Sequence, residues 1–192
     1  MRADSTRLSN QFLIAMPGQT GDTFAGAVVY LCEHTDKGAL GLVINKPIDI
    51  KLKNLFERVE LPLDRPDMAE APVYFGGPVQ TERGFVLHEG VGGQGEPYNS
   101  SLKIPGGLEM TTSKDVLEAL STGAGPRKVL VSLGYSAWGE GQLESELGEN
   151  SWLTVDADTS VIFDTPVEQR YGRALSLLGI DPGMLSQEAG HA

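Results

Sequence analysis

The sequence predicts an α+β fold, with strands concentrated early in the chain and helices late. Two observations lead to this prediction. Short apolar runs rich in Val, Ile, Phe and Tyr crowd the first half, and Gly, Pro or Asp follows closely after them, as is typical of strands and turns. Helical periodicity lies mainly in the second half. Because the two kinds of segment do not alternate strictly, the pattern favours α+β over a doubly wound parallel sheet.

The first half of the chain is predicted to be mostly strands. The predicted strands are Gln11–Met16, Phe24–Cys32, Leu40–Asn45, Val73–Phe75, Gly84–Glu89, Ser101–Ile104 and Leu108–Thr111. One helix over Leu52–Val59 interrupts them, because its leucines and Phe56 fall on one face at helical spacing. Pro62 is expected to end this helix and to open a loop.

The second half is predicted to add further strands and helices. The strands are Lys128–Leu133, Ser151–Val155 and Ser160–Phe163, and the first of these is expected to be central because its apolar run is continuous. The helices are one between Thr112 and Gly123, a short one at Gln142–Leu147, and the last at Pro166–Leu178.

The last helix has the clearest pattern. Thr165 is predicted to cap it, Pro166 to occupy the first turn and Glu168 to complete a capping box. One stripe of apolar residues is expected to pack into the core: Val167, Tyr171, Ala174, Leu175 and Leu178.

Charge is distributed unevenly along the chain. The net charge is −11 and the isoelectric point is near 4.6. Residues 133–192 hold 10 acidic and 2 basic side chains, and no basic residue lies between Lys128 and Arg170. Because Lys and Arg supply most of the affinity for phosphate backbones, this composition disfavours direct binding of nucleic acid. A solvated acidic face is the simplest interpretation.

Cysteine usage and hydropathy bear on the compartment. Cys32 is the only cysteine, so no intramolecular disulfide can form, which fits a reducing compartment. The apolar run Phe12–Met16 is too short for the core of a signal peptide, and no segment is long enough to span a bilayer. We therefore expect a cytoplasmic protein that does not contact a membrane.

Several segments, taken in order, resemble the AlgH/YqgE family of small bacterial proteins. They are FLIAMP (Phe12–Pro17), GALGLVINKP (Gly38–Pro47), FGGPV (Phe75–Val79), RGFVLH (Arg83–His88), GYSAWGEGQLESE (Gly134–Glu146), NSWL (Asn150–Leu153) and the terminal Gly190-His191. The resemblance runs from about Gln11 to the end of the chain and preserves the order of the segments.

The resemblance implies a mixed, largely antiparallel curved sheet that closes into a barrel-like form, with three to four helices packed on it. It also implies a single domain over residues 1–192, of which residues 1–10 are expected to be a flexible extension. One member's name links it to control of alginate synthesis, and relatives are often labelled transcriptional regulators. The family has no assigned reaction, cofactor or catalytic residue, so the resemblance transfers none to this sequence.

Two patterns point to ligand chemistry but lack the context that it requires. Gly90–Gly95 reads G-x-G-x-x-G after a predicted strand, yet a proline and another strand follow where a dinucleotide site needs a helix. Cys32, His34 and His88 could offer soft metal ligands, but the chain has no second cysteine and no paired ligand spacing. We therefore predict a loop at the glycines, and neither a metal nor another cofactor.

Polar and aromatic residues at predicted strand ends and loops form the candidate site. We hypothesise one shared cleft, because binding residues concentrate on loops carried by a rigid scaffold. The cleft would be lined by Asn45, His88, Trp138, Gln142 and Glu144. Gly76 and Gly77 would allow close backbone approach or positive φ among the same loops. The alternative is that each residue serves its own strand end, core contact or solvent-facing helix surface.

Three functional hypotheses follow from these observations. The leading one is a non-enzymatic cytoplasmic regulatory or binding protein with an unknown protein or small-molecule partner, since catalytic signatures such as G-x-S-x-G are absent. The first alternative is an enzyme of unrecognised type that uses carboxylates near Glu144 together with His88. The second is a DNA-binding transcriptional regulator, which the charge and the lack of a basic recognition helix disfavour.

Overall fold

The fold is built on one curled sheet that forms half of a barrel. The computed structural model describes residues 8–18, 21–90, 100–112, 114–123 and 125–180. Within them the strands are β1 (Gln11–Ala15), β2 (Val28–Thr35), β3 (Gly38–Val43), β4 (Pro47–Lys51), β5 (Pro72–Phe75), β6 (Val79–Glu89), β7 (Ser101–Lys103), β8 (Leu108–Thr111), β9 (Val129–Trp138) and β10 (Trp152–Asp156). The helices are α1 (Gly21–Phe24), α2 (Leu52–Arg58), α3 (Lys114–Ser121), α4 (Gln142–Gly148), α5 (Thr159–Phe163) and α6 (Val167–Leu177).

Strand β9 lies at the centre of the sheet. The strand order is β10-β1-β2-β3-β9-β6-β8-β7, and β4 and β5 branch from this path. β9 pairs antiparallel with β3 and β6 and parallel with β5. The prediction that its continuous apolar run is central is confirmed, as is the α+β class with a largely antiparallel curved sheet.

Both faces of the sheet are covered, so β1 and β2 contribute to two cores. Phe12 and Ile14 pack in the same core as Leu175 of α6, whereas Leu13 points to the opposite face and packs in the core that holds Leu143 of α4. Side chains alternate along a strand, and a strand buried on both sides reads as a continuous apolar run. Helices α4 and α6 therefore lie on opposite faces of the sheet.

The structure corrects the predicted elements in three places. Ser160–Phe163, predicted as a strand, belongs to helix α5, because the Asp158 carboxylate caps it by accepting a hydrogen bond from the amide of Ser160 at 3.0 Å. Phe24, predicted to begin a strand, ends helix α1 instead. Strand β4 was not predicted. With α1 and α5 the described residues hold six helices, more than the three to four expected.

Helix α6 docks on the sheet as predicted, but its start differs. The N-cap is Pro166, and the predicted cap, Thr165, instead donates its hydroxyl to the carbonyl of Ser160 at 2.9 Å. Leu175 is fully buried, whereas Leu178, expected in the core stripe, is 38% exposed because it lies past the last turn. The helix also buries a charge that its apolar stripe did not predict. This charge is Arg170, which donates to the carbonyl of Ile44 at 2.5 Å.

Two predictions fall largely outside the described residues. They are the glycine loop from residue 91 onward and the extension at residues 1–10, of which residues 8–10 are described. Leu8 donates its amide to Nδ1 of His34, and the Ser9 hydroxyl accepts the amide of His34. None of the described helices is long and apolar enough to cross a membrane.

Candidate functional site

Two of the five residues expected in one cleft do share a concavity. Trp138 ends β9 and Gln142 begins α4, and both line a pocket of about 280 Å³ that we call the tryptophan pocket. Its lining residues are Phe24, Ala137, Trp138, Gln142, Glu146, Glu149, Ser151 and Trp152. Asn45, His88 and Glu144 are not among them, so the expected shared cleft is reduced to Trp138 and Gln142.

A carboxylate lies at the centre of the hydrogen bonds in the tryptophan pocket. Oε1 of Glu146 accepts the indole N–H of Trp138 at 2.9 Å and that of Trp152 at 2.8 Å. Oε2 accepts the side-chain amide of Gln142 at 3.1 Å. Hydrogen bonds to a charged acceptor are stronger than neutral ones, so three donors fix the position of this half-buried carboxylate.

Local sequence explains how these donors come together. Gly141, at φ +77°, is the N-cap of α4 and lets the chain turn sharply after Trp138. Gln142 and Glu146 are four residues apart on that helix and therefore lie on one face. The carbonyl oxygen of the Gln142 side chain accepts the amide of Gly139 at 3.0 Å, so its amide group is turned toward Glu146.

Three aromatic rings form the apolar part of the tryptophan pocket. Phe24 stacks on Trp138 with ring centroids 6.2 Å apart and planes at 20°, and it meets Trp152 edge-on at 5.5 Å. The two indoles are themselves edge-to-face at 5.9 Å. Trp138 and Trp152 are 5% and 4% exposed, so they form the floor, while Phe24 is half-buried at the side.

The chemistry of the tryptophan pocket is acidic. Glu146 and the exposed Glu149 are its ionisable lining groups, and none of the described lining residues is basic. Apart from Phe24, the lining residues lie in the part of the sequence between Lys128 and Arg170 that has no Lys or Arg. An aromatic floor with carboxylates suits an ammonium or guanidinium group, through charge and through cation–π attraction.

Glu144 lies on the same helix but in a different network. Nδ1 of the buried His34 accepts the amide of Leu8 at 3.0 Å, so the ring proton is on Nε2, which donates to Glu144 at 2.9 Å. Burial acts to raise the pKa of Glu144, but hydrogen bonds from its own amide and from His34 outweigh burial and lower it. The residue ties α4 to β2 and to the N-terminal segment.

Asn45 holds the backbone at the start of β2. Its side-chain oxygen accepts the amide of Val28 at 2.9 Å, and its side-chain amide donates to the carbonyl of Gly26 at 2.9 Å. Asn45 lies just after β3, next to the connection between α1 and β2. Its two bonds therefore give hydrogen-bond partners to backbone groups of that connection. The side chain therefore serves its own strand end, as the alternative interpretation had it.

His88 belongs to a buried chain of hydroxyl groups on the other half of the sheet. Its Nδ1 donates to the carbonyl of Glu89 at 2.7 Å, so Nε2 accepts the hydroxyl of Thr111 at 2.7 Å. Thr111 in turn accepts the hydroxyl of Ser101 at 2.8 Å. Burial lowers the pKa of His88, against smaller opposing effects of the Glu89 carbonyl and the Glu109 carboxylate.

The hydroxyl that His88 contacts, that of Thr111, is not presented to a substrate. A nucleophile and its base must lie within hydrogen-bond reach of each other and of a substrate. Thr111 meets the first condition with His88, but it is 0% exposed and no substrate can touch it. Glu144 bonds to His34 and not to His88, so the geometry does not assemble the pair that the enzyme hypothesis combined.

The candidate metal ligands are each engaged within the fold. Cys32 is fully buried in a core, where burial, and to a lesser extent the charge of Glu33, raises the pKa of its thiol. Both ring nitrogens of His34 and of His88 have protein hydrogen-bond partners. Throughout the part of the chain that the structure describes, no three His, Cys, Asp or Glu side chains come close enough to hold one ion.

The curled half-barrel, covered by helices on both faces, defines an α+β protein with a small acidic aromatic pocket. The chain belongs to the AlgH-like family, whose family model matches residues 12–183. Curated relatives named UPF0301 protein, from Polaromonas sp. (strain JS666 / ATCC BAA-500) and Variovorax paradoxus (strain S110), are 71% and 70% identical, and both matches cover 100% of each chain. The resemblance read from the sequence is confirmed.

Solved structures agree with this assignment. The solution structure of the AlgH protein from Pseudomonas aeruginosa is 47% identical, with a TM-score of 0.77 over 97% of both chains. Protein DIP2367 from Corynebacterium diphtheriae, solved by X-ray crystallography, is 19% identical, with a TM-score of 0.68 over 86% of this chain and 84% of that one. At that identity the second likeness concerns the fold alone.

Sequence reasoning left Glu146 and Trp152 out of the candidate site. The signal was present, because the two tryptophans of the chain flank a short helix on which Gln142 and Glu146 are four residues apart. The sequence did not indicate which face of that helix meets the sheet. The structure turns Gln142 and Glu146 toward the indoles and Glu144 toward His34.

Proposed function

We propose that this AlgH-like protein is a non-enzymatic cytoplasmic regulatory or binding protein, and that the tryptophan pocket receives a cationic group of its partner. The group would be an ammonium or guanidinium, carried by a protein or a small molecule. The observation that carries the proposal is the Glu146 carboxylate, which two indole N–H groups and Gln142 hold at the wall of an acidic aromatic pocket.

The carboxylate keeps capacity for a ligand. A carboxylate has about four lone-pair sites, and Glu146 uses three of them on Trp138, Trp152 and Gln142. Glu149 adds a second, exposed negative charge to the lining. Cations that approach the pocket are attracted by these two carboxylates, which favours encounter and orientation.

The tryptophan pocket is also organised in advance of binding. Gln142 is bonded at both ends of its side-chain amide, to Gly139 and to Glu146. The indoles pack in the core around Leu143 and cannot change rotamer without disrupting it. Groups that are already ordered lose little conformational entropy when a ligand arrives, so more of the contact energy remains as affinity.

Tryptophan fluorescence offers a direct test, because both tryptophans of the chain line the pocket. We expect acetyl-arginine amide to produce a saturable fluorescence change that weakens as salt rises, since screening reduces charge attraction. Its neutral isostere, acetyl-citrulline amide, should produce no comparable change. Equal responses to the two compounds, or no saturation with either, would contradict the proposal.

A pair of charge-removing variants locates the effect. Glu149→Gln should weaken binding of acetyl-arginine amide by about fivefold, because a partly exposed ion pair contributes up to about 1 kcal/mol. Glu140→Gln removes the same charge from an exposed position outside the tryptophan pocket and should change affinity far less. If both variants weaken binding equally, the attraction comes from net charge and not from the pocket.

The alternative hypothesis of a DNA-binding transcriptional regulator would require a positively charged surface. We expect no appreciable affinity for duplex DNA at physiological salt, because the net charge is −11 and phosphate contacts need Lys and Arg. Fluorescence anisotropy with labelled duplex over a series of salt concentrations measures this. Dissociation constants on the order of micromolar or tighter, with a steep log–log salt dependence, would restore direct DNA binding as the function.

A further inference from the structure

A second pocket lies beside the start of β9, where no strand covers one of its edges. β6 pairs along one side of β9, but on the other side β5 joins only from Ser132 onward, and β3 joins later still. The described strands therefore leave Val129–Val131 without a neighbour on that side. Between these residues, Leu52, the segment from Met68 to Tyr74 and the turn from α5 into α6 is a pocket of about 260 Å³, which we call the Arg170 pocket.

The lining of the Arg170 pocket is apolar except at one wall. Eleven of its fourteen lining residues are apolar, and the other three are Tyr74, Thr165 and Arg170. The carbonyl of Thr165 accepts a hydrogen bond from Nε of Arg170 at 2.9 Å, and the guanidinium carbon lies 5.2 Å from the ring centre of Tyr74. Two lining residues thus flank the guanidinium itself. The charged end of Arg170, and not only its aliphatic stem, therefore belongs to this wall.

The charge of Arg170 has no counter-ion in the part of the chain that the structure describes. The residue is 6% exposed, and arginine is almost never buried so deeply unless it is paired. Its hydrogen bonds to the backbone go to the carbonyls of Thr165 and Ile44. No described carboxylate forms an ion pair with it. Asp164, which is close in sequence, places both of its oxygens on Nζ of Lys128. The wall of the pocket therefore holds a positive charge that is not neutralised.

Arg170 and Tyr74 keep donors for a ligand. A guanidinium has five N–H groups, and the two backbone carbonyls take two of them. Nη2 donates to no carbonyl or carboxylate of the described residues. Burial raises the pKa of Tyr74, whereas the charge of Arg170 and a hydrogen bond from it lower that pKa. The Tyr74 oxygen is the acceptor in that bond, so its own O–H remains available to an anion.

The charge and size of the Arg170 pocket define a class of ligand. One cation in an apolar pocket complements a monoanion with an apolar body. The planar guanidinium matches the geometry of a carboxylate. A phosphate monoester carries about −1.5 to −2 charges and would need a second cation, which the described lining does not offer. The volume of about 260 Å³ holds roughly nine groups the size of a water, at about 30 Å³ each, which matches the size of benzoate.

We propose that the Arg170 pocket binds a small monocarboxylate with a compact apolar body. The carboxylate accepts hydrogen bonds from Nη2 of Arg170 and from the hydroxyl of Tyr74, and the apolar body packs against Leu130 and Ile162. The ligand supplies the counter-ion that the described residues do not. The Arg170 pocket shares no lining residue with the tryptophan pocket, so this inference does not depend on the function proposed for that site.

Benzoate and its neutral isostere benzamide test the site by NMR titration of the full chain. We expect saturable binding of benzoate, at least about tenfold tighter than that of benzamide, because a hydrogen bond to a charged group contributes roughly that factor. Acetate, which lacks the apolar body, should bind at least about 30-fold more weakly than benzoate. The amide signals of Ile162, Thr165 and Val167 should shift with benzoate. Benzamide or acetate that binds as tightly as benzoate would overturn the proposal, as would shifts confined to other parts of the chain.

Variants on α6 and β5 place the ligand in the Arg170 pocket. Arg170→Met removes the charge and should lower the affinity for benzoate about tenfold, while that for benzamide stays nearly unchanged. Thermal denaturation verifies that it folds. Arg173→Met removes the same charge from an exposed position on the same helix and is the matched control. Tyr74→Phe keeps the ring, should lower the affinity for benzoate about threefold, and decides the matter if Arg170→Met does not fold. Unchanged benzoate affinity in either folded pocket variant would show that the carboxylate does not bind there.

Discussion

Gly77→Ala is expected to lower the free energy of unfolding by about 3 kcal/mol or more, because β9 passes directly over this residue. A Cβ on Gly77 would overlap the carbonyl group of Tyr135 and the amide nitrogen of Ser136. The residue also has φ of +155°, which side chains other than glycine rarely adopt. β9 cannot move away without losing its pairing with β3 and β6, and Gly77 lies in the short connection between β5 and β6, so the overlap cannot be relieved locally. Urea denaturation followed by far-UV circular dichroism measures the loss.

Gly84→Ala is the matched control for this prediction. It makes the same chemical change in β6, where an added Cβ has no neighbour within 4 Å and φ is ordinary. Stability should stay within about 1 kcal/mol of the parent, with a small gain possible from the reduced entropy of the unfolded chain. Equal unfolding midpoints for the two variants would show that the crossing of β9 over Gly77 is not tightly packed.

Leu175→Ala is expected to cost about 2–5 kcal/mol, because it removes a fully buried side chain from the interface between α6 and the sheet. The cavity would lie among residues of both chain ends, since β1 and α6 pack in that core. Thermal denaturation should show the melting temperature falling by several degrees for each kcal/mol lost.

Leu177→Ala provides the comparison on the same helix. Leu177 is 39% exposed, and its truncation should change stability by no more than about 0.5 kcal/mol. If Leu175→Ala melts like Leu177→Ala, then α6 is peripheral to the fold and the core beneath it is held by the sheet alone.

Much of the fold could be predicted because many of its strands are recognisable from their amino-acid composition. β1 is apolar after Gln11 and is buried on both faces, so it was found to within one residue. β9 begins with an apolar run and was found at its start, but its second half, which contains Ser136 and the exposed Ala137, was not predicted. β4 was missed because it alternates half-buried with exposed positions and begins with Pro47, which argues against a strand. The extent of β6 was underestimated for a similar reason, since its first half is exposed and polar.

Errors at α5 and α6 have a common cause. Thr159–Phe163 contains β-branched residues that favour a strand, but Asp158 caps the segment and tertiary packing turns it into a single helical turn. Thr165, a good capping residue by type, gives its hydroxyl to that turn and leaves Pro166 to begin α6. The Thr165 hydroxyl could either cap α6 or donate to the carbonyl of Ser160. Local sequence preference could not decide between these two roles, because only the packed structure brings the Ser160 carbonyl within reach.

The candidate site was predictable in part. Trp138 and Gln142 were grouped because they lie just before and at the start of one short helix, and both line the tryptophan pocket. His88 was grouped with them because it lies near the end of a predicted strand, and nothing in the sequence indicates that it pairs with Val129 at the start of β9, whereas Trp138 ends that strand. Gly76 and Gly77 were read as signs of a binding loop. They are glycines because β9 crosses their backbone.

The pairing of β1 with β10 has a consequence for synthesis in the cell. Gln11 lies opposite Asp156, 145 positions later, so β1 leaves the ribosome well before the strand β10 with which it pairs. At about 5–20 residues per second this delay is roughly 7 to 30 seconds. During it the apolar edge of β1 has no partner on that side, and an unpaired edge of this kind invites aggregation. The nascent chain is therefore expected to depend on chaperones until residues beyond β10 emerge, and chains that stop before β10 should accumulate as insoluble material.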